Sequence, residues 1–136
     1  SVETQGGRLF CLIEEGDQRR RRFQTRPDII IRDRQSSAPV AIVDTKWKRL
    51  SLAIDDAKHG VSQSDVYQMM AYGQLYACPD LLLLYPHHPG LGSGPFSTDY
   101  LIHGSTDRLH LRSVDITQRE VCIVADLAAM FQRHPV

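Results

Sequence analysis

The run Leu81-Leu82-Leu83-Leu84-Tyr85, closed off by Cys78-Pro79 before it and Pro86 after it, constrains this chain most. Five consecutive apolar residues leave no polar side to face water, whereas a half-exposed strand alternates. A membrane span would need roughly 20 such residues. The run is therefore a strand buried on both faces, and such a strand lies inside a sheet that helices cover. With 136 residues the chain reads as a single domain spanning 1–136, since a domain takes roughly 100–200.

The flanking segments supply the rest of an α/β pattern. Arg8 to Glu14 reads as a strand that turns at Glu15-Gly16-Asp17. Arg19 to Arg22 leads into a second strand near Ile29 to Arg32, and Val40 to Trp47 is a third, rich in β-branched residues. After Gly60, Ser62 or Ser64 caps a helix that runs to about Ala77 and stops at Cys78-Pro79. Pro86 to Phe96 alternates prolines with Gly90, Gly92 and Gly94 and is a loop. Tyr100 to Ile116 holds two short strands with a break near Ser105-Thr106-Asp107, and Val124 to Arg133 is a closing helix with Leu127 and Phe131 at helical spacing. The order β-β-β-α-β-β-β-α predicts a mixed sheet flanked by helices.

Composition excludes several function classes. Apolar residues at 42 % and charged residues at 24 % are ordinary for a folded soluble domain and argue against disorder. Sixteen basic residues balance sixteen acidic ones, so bulk cationic charge is not how the chain works, although a local basic patch remains open. Thirteen of the basic residues are arginines. A GC-rich genome explains that as well as a functional reason does, although arginine's planar fork suits phosphate. Cys11, Cys78 and Cys122 are scattered without metal-ligand spacing and read as free thiols of a reducing cytoplasm. No charged-then-apolar leader is visible. A cytoplasmic location and no membrane partner are the expectations.

The chemistry concentrates in three places. Alternation along the third strand puts Ile42, Asp44, Lys46 and Lys48 on one face, with Val43, Thr45 and Trp47 on the other. Trp47 is thereby expected to pack in the core or against a helix. Asp28 shares a face with Ile30 and Arg32, and if the second and third strands form a hairpin, Asp28 and Asp44 converge. Two close carboxylates repel, and a divalent cation with hard oxygen ligands relieves them. A lysine beside the metal can hold or activate the attacking water and stabilise charge developing on a phosphate. Phosphodiester hydrolysis needs those parts, whereas Asp-x-Lys alone on a strand is commonly a solvated ion pair. On the helix, Asp65, Gln68, Tyr72 and Tyr76 form one stripe, and Val66, Met70, Gly73 and Ala77 form another that can pack on the sheet.

The series Arg26-Pro27-Asp28, Asp44-Thr45-Lys46 and Gln68-x-x-x-Tyr72 resembles the PD-(D/E)xK nuclease superfamily, its RecB-like branch in particular. RPDIIIRD, AIVDTKWK, SDVYQMMAYG and LLLLYP, in that order, look closest to the C-terminal nuclease domain of the McrC family, a subunit of McrBC-type restriction systems that cut DNA carrying methylated cytosine. The likeness spans about Phe23 to Pro86. It implies a restriction-endonuclease-like mixed sheet and a Mg2+-dependent DNA endonuclease, with Mn2+ as a substitute ion. It makes Asp28 and Asp44 metal ligands, Lys46 the catalytic lysine, and Gln68 and Tyr72 supporting active-site residues. It also implies a separate McrB-like AAA+ GTPase partner that recognises the modified DNA.

One family feature is missing: a helix before the first strand, often with an acidic residue near the metal. The chain therefore reads as a fragment of a longer subunit, with Glu14 or a residue upstream as third ligand. The alternative function is a non-catalytic module that keeps the nuclease fold for DNA or partner docking. The His87-His88 pair and the Gly90 to Gly94 loop complete no site and are expected at the surface, and Tyr85 is expected to be structural.

Overall fold

The structure is a computed structural model that describes residues 1–52 and 56–131. Eight strands run in the order β1 (Val2–Thr4), β2 (Phe10–Ile13), β3 (Arg21–Gln24), β4 (Ile29–Arg32), β5 (Pro39–Thr45), β6 (Asp80–Pro86), β7 (Ser97–Leu101) and β8 (Arg108–Val114). Helix α1 (Gln63–Leu75) connects β5 to β6, and α2 (Glu120–Phe131) follows β8. Six strands form one sheet in the order β1-β4-β5-β6-β8-β7, while β2 and β3 pair by themselves. The two central pairings, β5 with β6 and β6 with β8, are parallel, and the others are antiparallel. This is the expected α/β architecture, a mixed sheet with helices packed on it, and it is consistent with a nuclease-like fold.

The apolar run sits at the centre. Leu81 to Tyr85 are each no more than 8 % exposed. Alternation divides them: Leu81, Leu83 and Tyr85 join Ile30, Ile42, Leu109 and Leu111 under α1, whereas Leu82 and Leu84 join Val43 and Val114 with Ile123, Leu127 and Met130 of α2. One strand thus supplies both cores, which is why it carries no polar face.

Helix α1 departs from the expected stripes. Its buried residues are Met69, Tyr72 and Gly73, with Tyr76 just beyond its end also in the core, while Met70 is exposed. Sequence favoured the more apolar stripe through Met70, but the tyrosines bury their rings and satisfy their hydroxyls locally. Tyr76 Oη lies 2.6 Å from Thr25 Oγ1, and Tyr72 Oη accepts from Gln68 Nε2 at 3.0 Å. Gly73 allows close approach to β6, because a Cβ there would stand 2.9 Å from Leu81 Cδ1. The helix ends with Ala77 in the left-handed region (φ 49°), where Cys78 N–H donates to Gly73 O at 3.0 Å and Ala77 N–H to Gln74 O at 3.4 Å.

Other differences are local. Strands β1 and β3 go beyond the expected set; β3 takes up the arginine run as the partner of β2. Helix α2 begins four residues earlier than Val124, and its expected end at Arg133 lies outside the described residues. The Pro86 to Phe96 loop contains a short 3-10 turn at Pro89–Leu91. Its histidines anchor it: His87 Nδ1 contacts Ser113 Oγ at 2.8 Å, and His88 Nε2 contacts Leu50 O at 2.7 Å. Trp47 is 81 % exposed, because β5 ends at Thr45 and the alternation that would have buried it ends there too.

Candidate active site

The site forms at the carboxyl ends of parallel strands β5 and β6, the place where open α/β sheets bind ligands. Antiparallel pairing of β4 with β5 sets Ile29 opposite Val43, which brings Asp28 and Asp44 together one step further along. Lys46 follows β5 directly, and its N–H donates to Leu84 O at 2.8 Å, continuing the parallel ladder. Helix α1 crosses above and brings Asp65 and Gln68 to the same end.

Lys46 Nζ is the hub. It lies 2.6 Å from Asp44 Oδ2 and 3.3 Å from Asp65 Oδ1, and it donates to Gln68 Oε1 at 3.2 Å. Gln68 in turn donates to Tyr72 Oη, so the three residues form one hydrogen-bonded chain from the strand into the helix. Asp28 stands slightly apart. Its Oδ2 accepts from Thr45 N–H at 2.8 Å and Thr45 Oγ1 at 2.9 Å, and its Oδ1 accepts from Gln5 Nε2 at 2.7 Å.

The environments drive the two aspartates apart electrostatically. Burial works to raise Asp28, but its hydrogen bonds from Thr45 and Gln5 more than offset that and hold it below the ordinary value. Asp44 is buried, and burial with help from the nearby Asp28 charge pushes it above the ordinary value despite Lys46. Burial would lower Lys46, yet Asp44 and Asp65 together raise it, so the ammonium stays charged. Tyr72 is raised by burial and by the Asp44 charge.

The structure thus brings Asp28, Asp44, Lys46, Gln68 and Tyr72 to one place. The third-ligand candidate does not join them: Glu14 is half-exposed and pairs with Arg22 at 2.6 Å. Among the described residues no group of three or more His, Cys, Asp or Glu side chains has a metal-binding arrangement. Two residues that sequence reasoning gave no part in the site belong here, although Tyr85 was expected to be structural, as its burial bears out. Asp65 holds Lys46 from the helix side and also faces Lys48 Nζ at 3.5 Å. Its signal was its place three residues before Gln68 on the same stripe. Tyr85 is fully buried on β6, and its hydroxyl has no hydrogen-bond partner among the described residues. Burial, with Asp65 and Asp44 adding to it, pushes that hydroxyl up to about 12.

The donor set fits a hard divalent cation that takes few protein carboxylates. Asp28 and Asp44 are adjacent oxygen donors, and the Asp28 charge adds to burial in raising Asp44. Among the described residues no helix is long and apolar enough to cross a membrane. No curated protein matches the chain. The model of a family described as McrBC 5-methylcytosine restriction system component matches residues 1–86. That stretch is more than half of the 136 residues and includes every residue of the site. The chain belongs to the McrBC 5-methylcytosine restriction system component family.

Proposed function

We propose that this chain carries the DNA-cutting centre of a restriction complex, a Mg2+-dependent endonuclease site of PD-(D/E)xK type like that of the McrC C-terminal domain. The observation that carries the reading is Lys46 Nζ held 2.6 Å from Asp44 and bonded to Gln68, beside Asp28 at the end of the same sheet. Asp28 and Asp44 are the residues that would hold Mg2+, or Mn2+ in its place. Such an ion supplies Lewis acidity and a water activated near neutral pH. Lys46, kept protonated, offers its N–H donors to the attacking water and to charge developing on the phosphate. Gln68 fixes the ammonium through Oε1, and Tyr72 fixes Gln68 through its hydroxyl. Exposed Trp47 and Lys48 flank this end of the sheet, where a strand of DNA would lie. The partner in this reading is an McrB-like AAA+ GTPase that selects methylated DNA, and the complex works in the cytoplasm.

A docking module is the competing reading. It draws on one observation: both Asp28 oxygens are already engaged by Thr45 and Gln5. Calorimetric titration with Mn2+, paired with cleavage of methylated DNA by the complex, separates the two. Stoichiometric binding that Asp44→Asn abolishes supports the nuclease. No heat and no cleavage with the fold intact leaves the docking module.

A further inference from the structure

Asp65 Oδ2 and Tyr85 Oη are the two buried side-chain polar atoms without a hydrogen-bond partner among the described residues, and both belong to this site. Tyr85 is 1 % exposed, and its hydroxyl lies within the electrostatic reach of both Asp44 and Asp65. Buried polar groups are normally satisfied, so a spare acceptor beside the Lys46 ammonium calls for an explanation. Lys48 Nζ, 3.5 Å from Asp65 Oδ2, is an ion pair and leaves that oxygen's hydrogen-bonding capacity unused.

Competition for Asp44 supplies the explanation. Its Oδ2 is 2.6 Å from Lys46 Nζ, so one of the two oxygens a cation would use is already taken by an ammonium. When Asp44 turns that oxygen to a divalent ion, Lys46 must leave it, and two positive charges must not be left facing each other. Asp65 Oδ1 already stands 3.3 Å from the same Nζ, and Gln68 Oε1 stands 3.2 Å away. We propose that Asp65 is the positioning residue of Lys46: it receives the ammonium when Asp44 takes a cation, so that one lysine serves the empty and the loaded site by exchanging carboxylates. The inference rests on the proposed metal site and goes beyond it, since Asp65 need not touch the metal or substrate.

The test is Mn2+ affinity measured by calorimetry on the chain itself. Asp65→Asn should weaken Mn2+ binding by about tenfold, as coupled neighbouring charges do, and Asp65→Glu should restore most of it. On a Lys46→Met background the same Asp65→Asn change should cost no more than about twofold, because the ammonium it positions is gone. Equal losses with and without Lys46 would make Asp65 a ligand itself and overturn the exchange, as would no loss in either background. Absence of Mn2+ binding by the unaltered chain would bring down the metal site and the exchange together, an outcome distinct from both. A crystal of the unaltered chain grown with Mn2+ reads the same event without any variant. Lys46 Nζ should lie beyond hydrogen-bond reach of Asp44 Oδ2 and within reach of Asp65. An Nζ still bonded to Asp44 Oδ2 beside a bound ion would refute the exchange.

Discussion

At the scale of single residues, the two aspartates carry opposite signs in the stability of the metal-free protein. Asp28 is held below its ordinary value, so its contribution is present above the usual carboxylate range and is lost as pH falls through the lowered value. Asp44 is held above its ordinary value, so burying its charge is a penalty that sets in as pH rises from the ordinary value through the raised one. Asp28→Asn should therefore lower the melting temperature at neutral pH, with the gap closing on acidification. Asp44→Asn should melt at or above the unaltered protein at neutral pH, while cleavage by the complex is abolished. Melting curves between about pH 2 and pH 8 check both, and a neutral-pH loss for Asp44→Asn as large as that for Asp28→Asn would contradict the assignment. Tyr72 and Gln68 differ in the same way. Tyr72 is 5 % exposed within the core, so Tyr72→Ala should cost about 3–5 kcal/mol, as aromatic truncations do. Tyr72→Phe removes one hydrogen bond and should cost only about 1 kcal/mol, with a slower cut. Gln68 is exposed, and Gln68→Ala should slow cleavage with little change in stability. Denaturant titrations separate the three, and a mild Tyr72→Ala would place that ring outside the core.

At the scale of elements, α1 carries a correctable strain. Ala77 holds the left-handed position of a helix-ending motif that glycine normally fills. The left-handed conformation costs an L-residue roughly 1–2 kcal/mol, and glycine gives back roughly 0.5–1 kcal/mol in chain entropy. Ala77→Gly should then stabilise the protein by about 0.5–1 kcal/mol, read as a higher denaturant midpoint at unchanged slope. The same helix marks the limit of what the sequence made legible. The strands that position the site were readable: Leu81 to Tyr85 by its unbroken apolarity, Val40 to Trp47 by its β-branching though the strand stops at Thr45, and the Asp28–Asp44 convergence on the condition of a hairpin that the β4–β5 pairing meets. The inward face of α1 was not. Tyr72 and Tyr76 look polar in a one-dimensional pattern, and their hydroxyls find partners only in three dimensions, on Gln68 and Thr25. Trp47 misled for the opposite reason, because alternation was extended past the end of β5. Asp65 had the right spacing, but only the fold shows that its carboxylate meets a lysine from another element.

At the scale of the whole molecule, charge decides how the chain would meet DNA. Sixteen basic and sixteen acidic residues cancel, so there is no strong long-range field to draw a polyanion in. Part of the local basic supply is already committed. Arg22 pairs with Glu14, Arg32 with Glu3, Arg112 with Asp99, and Lys48, at the candidate site, with Asp65. Each neutralised phosphate contributes about −0.9 to the slope of log affinity against log salt, so two to four contacts give a slope of about −2 to −4. Binding of the chain alone to duplex DNA should therefore be weak and only shallowly salt-dependent. Methyl-group discrimination is expected to be absent as well. Reading a base edge requires a helix or strand ribbon seated in a groove. Helix α1 presents its Asp65 and Gln68 side to Lys46, and neither helix carries helix-turn-helix or zinc-finger spacing. Base selection would then fall to a partner subunit, and cutting would follow assembly. Titrations of methylated and unmethylated duplexes at two salt concentrations test this division. Equal affinities with a shallow slope are the expected result. A preference for the methylated duplex beyond about tenfold, or about 1.4 kcal/mol, would move recognition into this chain.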